Sequence, residues 1–431
     1  MSFVNVTNRL RLGRFGIVAV CACIVGILSS TASAQWTQWG GPNQDFKVEG
    51  GSLGNQWPDE GPKTVWQHDI GEGYSAIVVD GETLYTMCRT KEKDKAERRE
   101  VVVAMSAKDG EMLWEHKYEA PLAKGHVAQF GTGPRGTPLV HGDKVYTVGV
   151  SGHMNCLNKK TGKVVWSHDL WKDYEGTFLN HGYSSSPIAY KKTVIVPVGG
   201  KGHGLMAFDQ KTGEVVWSKH DFGNSYSTPM LIKVDGKDMM VCFMAKEIIG
   251  VNPADGELMW THGHQNEWRQ NITLPIWTPG ERSLFITSPG DGSENLKLVK
   301  DGDGYKVEKL WENKRVGVHH TTAIRVGDCI YLSAGGGGGG GPSFIQALDA
   351  KTGEVKWKER GFAKANFLYA DGKFIVLDED GNLGLTECTP EKFNIVTQFP
   401  ILKKVSWTVP TLVGKTLYIR DQKQILALDM G

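Results

Sequence analysis

The sequence predicts an all-β fold: a single eight-bladed β-propeller with four antiparallel strands per blade. Three observations predict it. A tryptophan-ended phrase returns at blade-length intervals, an opening strand returns in step with it, and the two ends of the chain carry complementary incomplete copies.

The phrase is a short apolar run, a Thr-Gly or Asp-Gly turn, and a tryptophan shortly after. Its clear copies end at Trp114, Trp166, Trp217, Trp260 and Trp357; weaker copies end at Trp66 and Trp311, and a worn one at Phe399. The intervals between these markers are 48, 52, 51, 43, 51, 46 and 42 residues. Within one interval the pattern reads as four short strands. In the unit ending at Trp217 these are Tyr183 to Ala189, Thr193 to Val198, Leu205 to Asp209 and Glu214 to Ser218. β-Branched runs split by Gly, Asp and Lys turns favour antiparallel strands, and no long stretch has a 3.6-residue apolar period. The opening strand recurs eight times, at 73–79, 134–140, 182–190, 225–231, 271–277, 319–325, 364–370 and 406–412. The chain ends on a third strand, Gln424 to Asp429, with no fourth. Pro62 to Asp69 is a fourth strand with no first three. Pairing the two closes the ring and removes exposed edges. The tryptophans at 66, 114, 166, 217, 260, 311 and 357 are therefore expected to wedge between blades, each burying on the order of 150–250 Å². The turn glycine is expected to supply a positive φ.

Residues 1–34 read as a secretory signal: Arg9, Arg11 and Arg14, an apolar core from Ile17 to Leu28, and the small residues Ala32-Ser33-Ala34. Cleavage is expected after Ala34, giving a periplasmic or secreted chain. Residues 35–62 form a leader and 63–431 the propeller. No later stretch is apolar enough to span a membrane. The formal charge of +1 argues against a nucleic-acid partner, which would usually need a strongly basic face. Five cysteines follow the signal, at 88, 156, 242, 329 and 388, about a blade apart, and are read as small buried strand residues. The Lys91–Arg99 charge run is read as a solvated hairpin loop, Asp301-Gly-Asp303-Gly304 as a turn, and Gly335–Gly341 as a flexible run.

Chemistry, if present, belongs where the repeat stops repeating. Polar residues before the opening strands converge at one mouth of the channel: Tyr74, His126, Arg135, His181, Tyr183, Tyr226, Arg269, Asn271, His319, His320, Lys364, Asn366 and Trp407. Arg135, Arg269 and Lys364 suit carboxylates, Trp407 or a tyrosine suits a ring, and His181 or His320 suits proton transfer near neutral pH. The alternative is a wet channel whose polar groups satisfy one another. No metal site is expected. His319 and His320 are adjacent and on a strand would face apart; His262 and His264 follow Trp260 and are placed on the outer rim.

The signature Ala207, Asp209, Thr212, Gly213 and Trp217, repeated as Ala347, Asp349, Thr352, Gly353 and Trp357, resembles that of the pyrroloquinoline-quinone-like repeat propellers. The likeness covers about residues 63–431, and Trp36-Thr-Gln-Trp39-Gly-Gly-Pro42-Asn43 looks like the leader of exported BamB-like proteins. The resemblance implies one of two roles. One is a scaffold that binds envelope proteins or a small ligand, as a monomer without a cofactor, in cell-envelope biogenesis. The alternative is an oxidoreductase that uses pyrroloquinoline quinone with calcium at the channel mouth. Against the alternative, the chain lacks the adjacent cysteine pair and the C-x-x-C-H haem motif of such enzymes. A third reading, polysaccharide binding, rests on Trp171, Tyr174 and Trp268.

Overall fold

β-Branched and aromatic runs between tight turns form thirty-three strands in eight sheets among the described residues. The computed structural model describes residues 1–2, 35–48, 53–54, 56–58, 60–90, 99–266, 268, 270–335 and 342–431. The chain divides into residues 1–33 and a compact unit of residues 34–431, which holds the propeller. Most of the predicted signal, the charge run at 91–98 and the glycines at 336–341 lie outside the described residues.

The third blade shows the unit: Ile188–Tyr190, Thr193–Pro197, Leu205–Asp209 and Val215–Lys219, paired in that order and antiparallel. The opening strands are shorter than the sequence suggests. In the first blade the ladder covers Val78–Asp80 only, because the residues before it bond sideways to the next blade. Ala76 N donates to Thr137 Oγ1 (3.3 Å), Thr137 N to Ser186 Oγ (2.9 Å) and Ser186 N to Thr228 Oγ1 (3.0 Å). This belt of hydroxyls satisfies backbone groups that water cannot reach. It crosses the ring junction too, where Thr411 Oγ1 donates to Ile77 O (2.7 Å).

The repeated tryptophan sits at a β-bulge of the outermost strand. Trp217 opposes Ala207 and the register slips at the next pair, as it does at Trp114, Trp166, Trp260, Trp311, Trp357 and Trp66. Its ring lies against the turn glycine of the following blade. A Cβ on Gly213 would stand 2.7 Å from the Trp166 ring, and one on Gly256 would stand 2.8 Å from Trp217. The turn glycine therefore meets two demands, a positive φ (+77° at Gly213) and room for a neighbour's indole. The aspartate before it holds the turn, with Asp209 Oδ1 accepting from Lys211 N and Thr212 N at 2.8 and 3.0 Å. Five of the indoles donate to the following blade: Trp66 to Ala107 O, Trp114 to Lys159 O, Trp166 to Gln210 O, Trp311 to Ala350 O and Trp357 to Thr389 O.

The seventh blade differs from expectation. Its bulge places Thr397, not Phe399, at the tryptophan position. Phe399 still supplies the ring that faces the next glycine, with a Cβ on Gly61 falling 3.4 Å from it. Trp57 of the leader packs beside Phe399 at 6.2 Å, so two aromatics replace one indole.

Ring closure is as the chain ends suggest. Lys63–Asp69 pairs antiparallel with Gln424–Asp429, with Trp66 opposite Ala427. Arg420, fully buried, fastens the junction by donating to Met87 O (2.8 Å), Gly71 O (3.0 Å) and Thr86 Oγ1 (3.1 Å) of the first blade.

The leader crosses the far ends of the opening strands. Trp36 bridges to Val79, Thr37 O accepts from Val140 N (2.8 Å), Gln44 bonds Pro229 and Leu231, and Lys47–Val48 adds a parallel strand beside Tyr369–Ala370. Asp301 and Gly304 close a tight hairpin turn. The five cysteines are free and lie in strands, four of them buried and Cys388 partly so. Among the described residues no helix is long and apolar enough to cross a membrane.

Deleting residues 61–69 is expected to abolish soluble folding, because it leaves the Gln424–Asp429 strand as an open edge. A finer comparison is Gly213→Ala against Gly236→Ala. Both glycines have positive φ, but nothing lies within 4 Å of a Cβ at Gly236. Gly236→Ala should cost about 1–2 kcal/mol of backbone strain. Gly213→Ala should cost that plus about 1–3 kcal/mol of overpacking, read as a lower urea midpoint at unchanged slope.

Candidate functional site

The irregular segments before the opening strands meet around one cavity of about 830 Å³. Of the residues expected there, Tyr74, Arg135, His181, Tyr226, His319, His320, Lys364 and Trp407 line it. Trp39 and Phe46 of the leader line it from the far side, edge to face at 5.2 Å. The channel is thus floored by the leader and becomes a one-ended pocket.

Several expectations are corrected. Tyr183 is fully buried between the second and third blades, and its hydroxyl donates to Pro197 O (2.5 Å). Asn271 is fully buried as a loop strut, donating to Met244 O (2.8 Å) and His264 O (3.1 Å). Asn366 links blades, accepting from Thr322 N (3.2 Å) and donating to Trp407 O (2.9 Å). Arg269 lies outside the described residues. Trp171 and Tyr174 pack onto the core of the second and third blades rather than forming an open aromatic rim, while Trp268 stays 49 % exposed at the cavity edge.

His319 and His320 do not face apart. They sit in a bend, not a strand, and their Nδ1 atoms are 3.0 Å apart. His264 is not on the rim: it is 2 % exposed. Sequence reasoning missed Phe130, Gln270 and Glu379. Gln270 joins His181 (3.3 Å) to His319 (3.1 Å), and Glu379 accepts from Trp407 Nε1 (3.0 Å). Phe130 and Gln270 lie in connections outside the repeat phrase, where no periodic signal marks them.

The cavity is electropositive. Lys364 is 8 % exposed, and its Nζ reaches His319 Nδ1 at 3.4 Å. Arg135 donates to Gly133 O and Gly131 O, both at 3.3 Å, and lies 5.5 Å over the Tyr74 ring. Among the described residues neither cation has a carboxylate in ion-pair contact, and Glu379 is the only acid lining the cavity. Burial lowers both cations' affinity for protons. Burial and the Lys364 ammonium push His319 down to about 4; burial, His319 and Lys364 hold His320 well below its usual value. His181 is lowered by burial and by Arg135. His320 Nε2 is buried without a partner among the described residues, a polar atom that a bound group would satisfy.

The calcium-held quinone that the resemblance implies fits only in part. Arg135 and Lys364 suit its carboxylates. Calcium takes roughly six to eight oxygen ligands, and the one cavity carboxylate already serves an indole. Trp407 is already stacked on Tyr74 (5.1 Å, 29°) and contacts His320 (4.5 Å). Among the described residues no cluster of metal-ligating side chains lies in the cavity, and no cysteine pair adjoins it. No redox step follows from this donor set.

Depressed histidines make stability depend on pH. Their unfolded value is about 6.5, so between pH 6.5 and 4 the folded chain holds fewer protons than the unfolded one. Stability is therefore full above pH 6.5 and declines as the pH falls toward 4. The urea midpoint should fall across that window, and His319→Gln should flatten the slope.

The family model described as outer membrane protein assembly factor BamB matches residues 58–195 and 97–359. A quinohemoprotein alcohol dehydrogenase ADH IIB of Pseudomonas putida is 32% identical over 123 residues, which cover 27% of this chain and 17% of that one. The dehydrogenase subunit of a quinone alcohol dehydrogenase of Gluconobacter oxydans is 28% identical over 260 residues, 56% of this chain and 30% of that one. The chain thus spans under a third of the length of these two relatives. Two solved structures share the fold: quinohemoprotein alcohol dehydrogenase ADHIIG of Pseudomonas putida (TM-score 0.54, 12% identity, 93% and 80% covered) and a europium-containing methanol dehydrogenase (TM-score 0.51, 12% identity, 90% of each chain). Eight four-stranded blades, the bulged tryptophan that ends nearly all of them, and a family match across more than half its length establish that the chain belongs to the BamB-like family of pyrroloquinoline-quinone-like repeat propellers.

Proposed function

We propose that this propeller is an exported, non-catalytic binding platform whose channel mouth takes a small planar organic anion. The observation that carries this reading is the pair Arg135 and Lys364, part-buried and buried, facing one cavity without a carboxylate in ion-pair contact among the described residues. A buried charge without a counter-charge is costly, and an anionic ligand supplies one. Burial first, and then the neighbouring cations, keep the histidine values low, and this makes the site responsive: an anion beside His319 and His320 favours their protonated forms. Between the bound and free values, binding takes up protons, so affinity rises as the pH falls toward 4. The signal-like residues 1–34 and the family's description as an outer membrane assembly factor support an envelope setting with protein partners.

A second reading, quinone-dependent alcohol oxidation, is favoured by the names of the dehydrogenase relatives. One calorimetric titration separates the two, with pyrroloquinoline quinone as the probe in the presence and absence of calcium. The platform reading expects calcium-independent binding without dye-linked alcohol oxidation. Arg135→Ala and Lys364→Ala should each weaken it by roughly tenfold to a hundredfold, the factor for losing a charge-assisted hydrogen bond, at unchanged melting temperature. Calcium-dependent binding with alcohol oxidation would establish the second reading. Absence of binding, or binding indifferent to both substitutions, would remove the anion site.

A further inference from the structure

Outside the channel, one cluster at the seam of the fourth and fifth blades has the makings of a metal site. His262 lies in the outermost strand of the fourth blade, Leu258–Gly263, and His264 directly follows it. Glu294 lies on the fifth blade's third strand, Gly292–Asp301, and Asp291 immediately precedes it. His264 and Glu294 are 2 % and 3 % exposed.

Each outer atom of the cluster is already held. His264 Nε2 bonds Ser288 Oγ (2.8 Å), His262 Nε2 bonds Glu294 Oε2 (2.8 Å), and Lys314 Nζ bonds Asp291 Oδ1 (3.0 Å). The remaining atoms, His264 Nδ1, Glu294 Oε1 and Asp291 Oδ2, turn toward one another. His264 Nδ1 stands 3.4 Å from Glu294 Oε1 and 3.6 Å from Asp291 Oδ2, and all three ligand atoms lie within 4.8 Å of each other. These separations are long for hydrogen bonds, which centre near ~2.9 Å. They match the edge of a coordination tetrahedron: bonds of about 2.0–2.2 Å at the tetrahedral angle set ligand atoms about 3.4 Å apart. Lys309 Nζ approaches Glu294 Oε1 to 3.9 Å and is the competing cation.

We propose that His264 Nδ1, Asp291 and Glu294 bind one divalent transition-metal ion such as zinc, with Ser288 and His262 orienting the ligands from outside. Such orienting partners typically fix the imidazole tautomer and the carboxylate geometry. Asp291 is the open side of the site, with its side chain 23 % exposed, and leaves the fourth position to water. The ion would brace the seam: Asn271, which hydrogen-bonds His264 O, follows Gln270 directly, and Gln270 reaches His181 and His319 in the channel mouth.

Zinc titration of the metal-free mature chain by calorimetry tests this, with cobalt(II) as the spectroscopic probe. One equivalent of zinc is expected to bind, cobalt is expected to give the visible band of a tetrahedral site, and zinc should raise the melting temperature. Asp291→Asn, at the exposed side, should weaken zinc at least tenfold and abolish the band while the chain stays folded; His264→Ala should do the same. Absence of stoichiometric binding would reduce the cluster to an ion-pair network and overturn the assignment. Binding that survives Asp291→Asn but is lost in His319→Ala would place the ion in the channel mouth and overturn it equally.

Discussion

The contact between each blade's indole and the next blade's turn glycine is the interaction on which the ring depends. A four-stranded sheet cannot bury both faces alone, so each blade must be covered by its neighbours. The bulge turns the tryptophan out of its own ladder and toward the next blade, and the glycine there leaves the volume it fills. Registers of successive blades are thereby coupled through residues about fifty positions apart. In the seventh blade the indole is missing and Phe399 with Trp57 fills the space, which ties the leader to the same packing scheme. Closure by Lys63–Asp69 and the buried Arg420 then makes the first and last blades neighbours like any other pair.

Nearer the axis the construction changes from ladder to belt. Strands that converge on a channel cannot all pair within their own blade, and the hydroxyls of Thr137, Ser186 and Thr228 carry the bonds sideways. With the backbone satisfied in this way, the loops above the belt vary freely. They bring Arg135, Lys364 and a histidine cluster to one mouth, while the leader fills the other end with Trp39 and Phe46. A through-channel lined by these cations would be wet and screened; a floored one raises the strength of their field. The depressed histidines follow from that environment rather than from any unusual partner of their own.

Much of the frame is legible from the chain alone. The period, the turn chemistry and the unfinished copies at both ends lead to eight blades and to the closing strand, because each rests on local pattern and on a period longer than any single strand. The placement of the mouth residues was only half legible. Tyr183 and Asn271 come before their strands as Arg135 and Lys364 do, and Asn366 lies within Ala365–Ala370, yet all three turn inward: Tyr183 bonds Pro197 of its own blade, and the two asparagines bond neighbouring blades. Position before a strand selects the end of the channel, but neighbouring loops decide which way a side chain turns. Phe130, Gln270 and Glu379 lie outside any repeated pattern and could be found only by their contacts.

The histidines make the division sharpest. From the sequence, His319 and His320 would face apart and His262 and His264 would lie on an open rim. The bend at 319–320 brings the first pair's Nδ1 atoms together, and the fifth blade folds Glu294 over the second pair. What the sequence determined is the repeated unit, the number of copies and how the ring closes, since periodicity and turn chemistry are local properties of a chain. What the tertiary structure alone decided is which polar groups are buried together and which atoms they point at one another, since those contacts join blades whose residues are tens of positions apart.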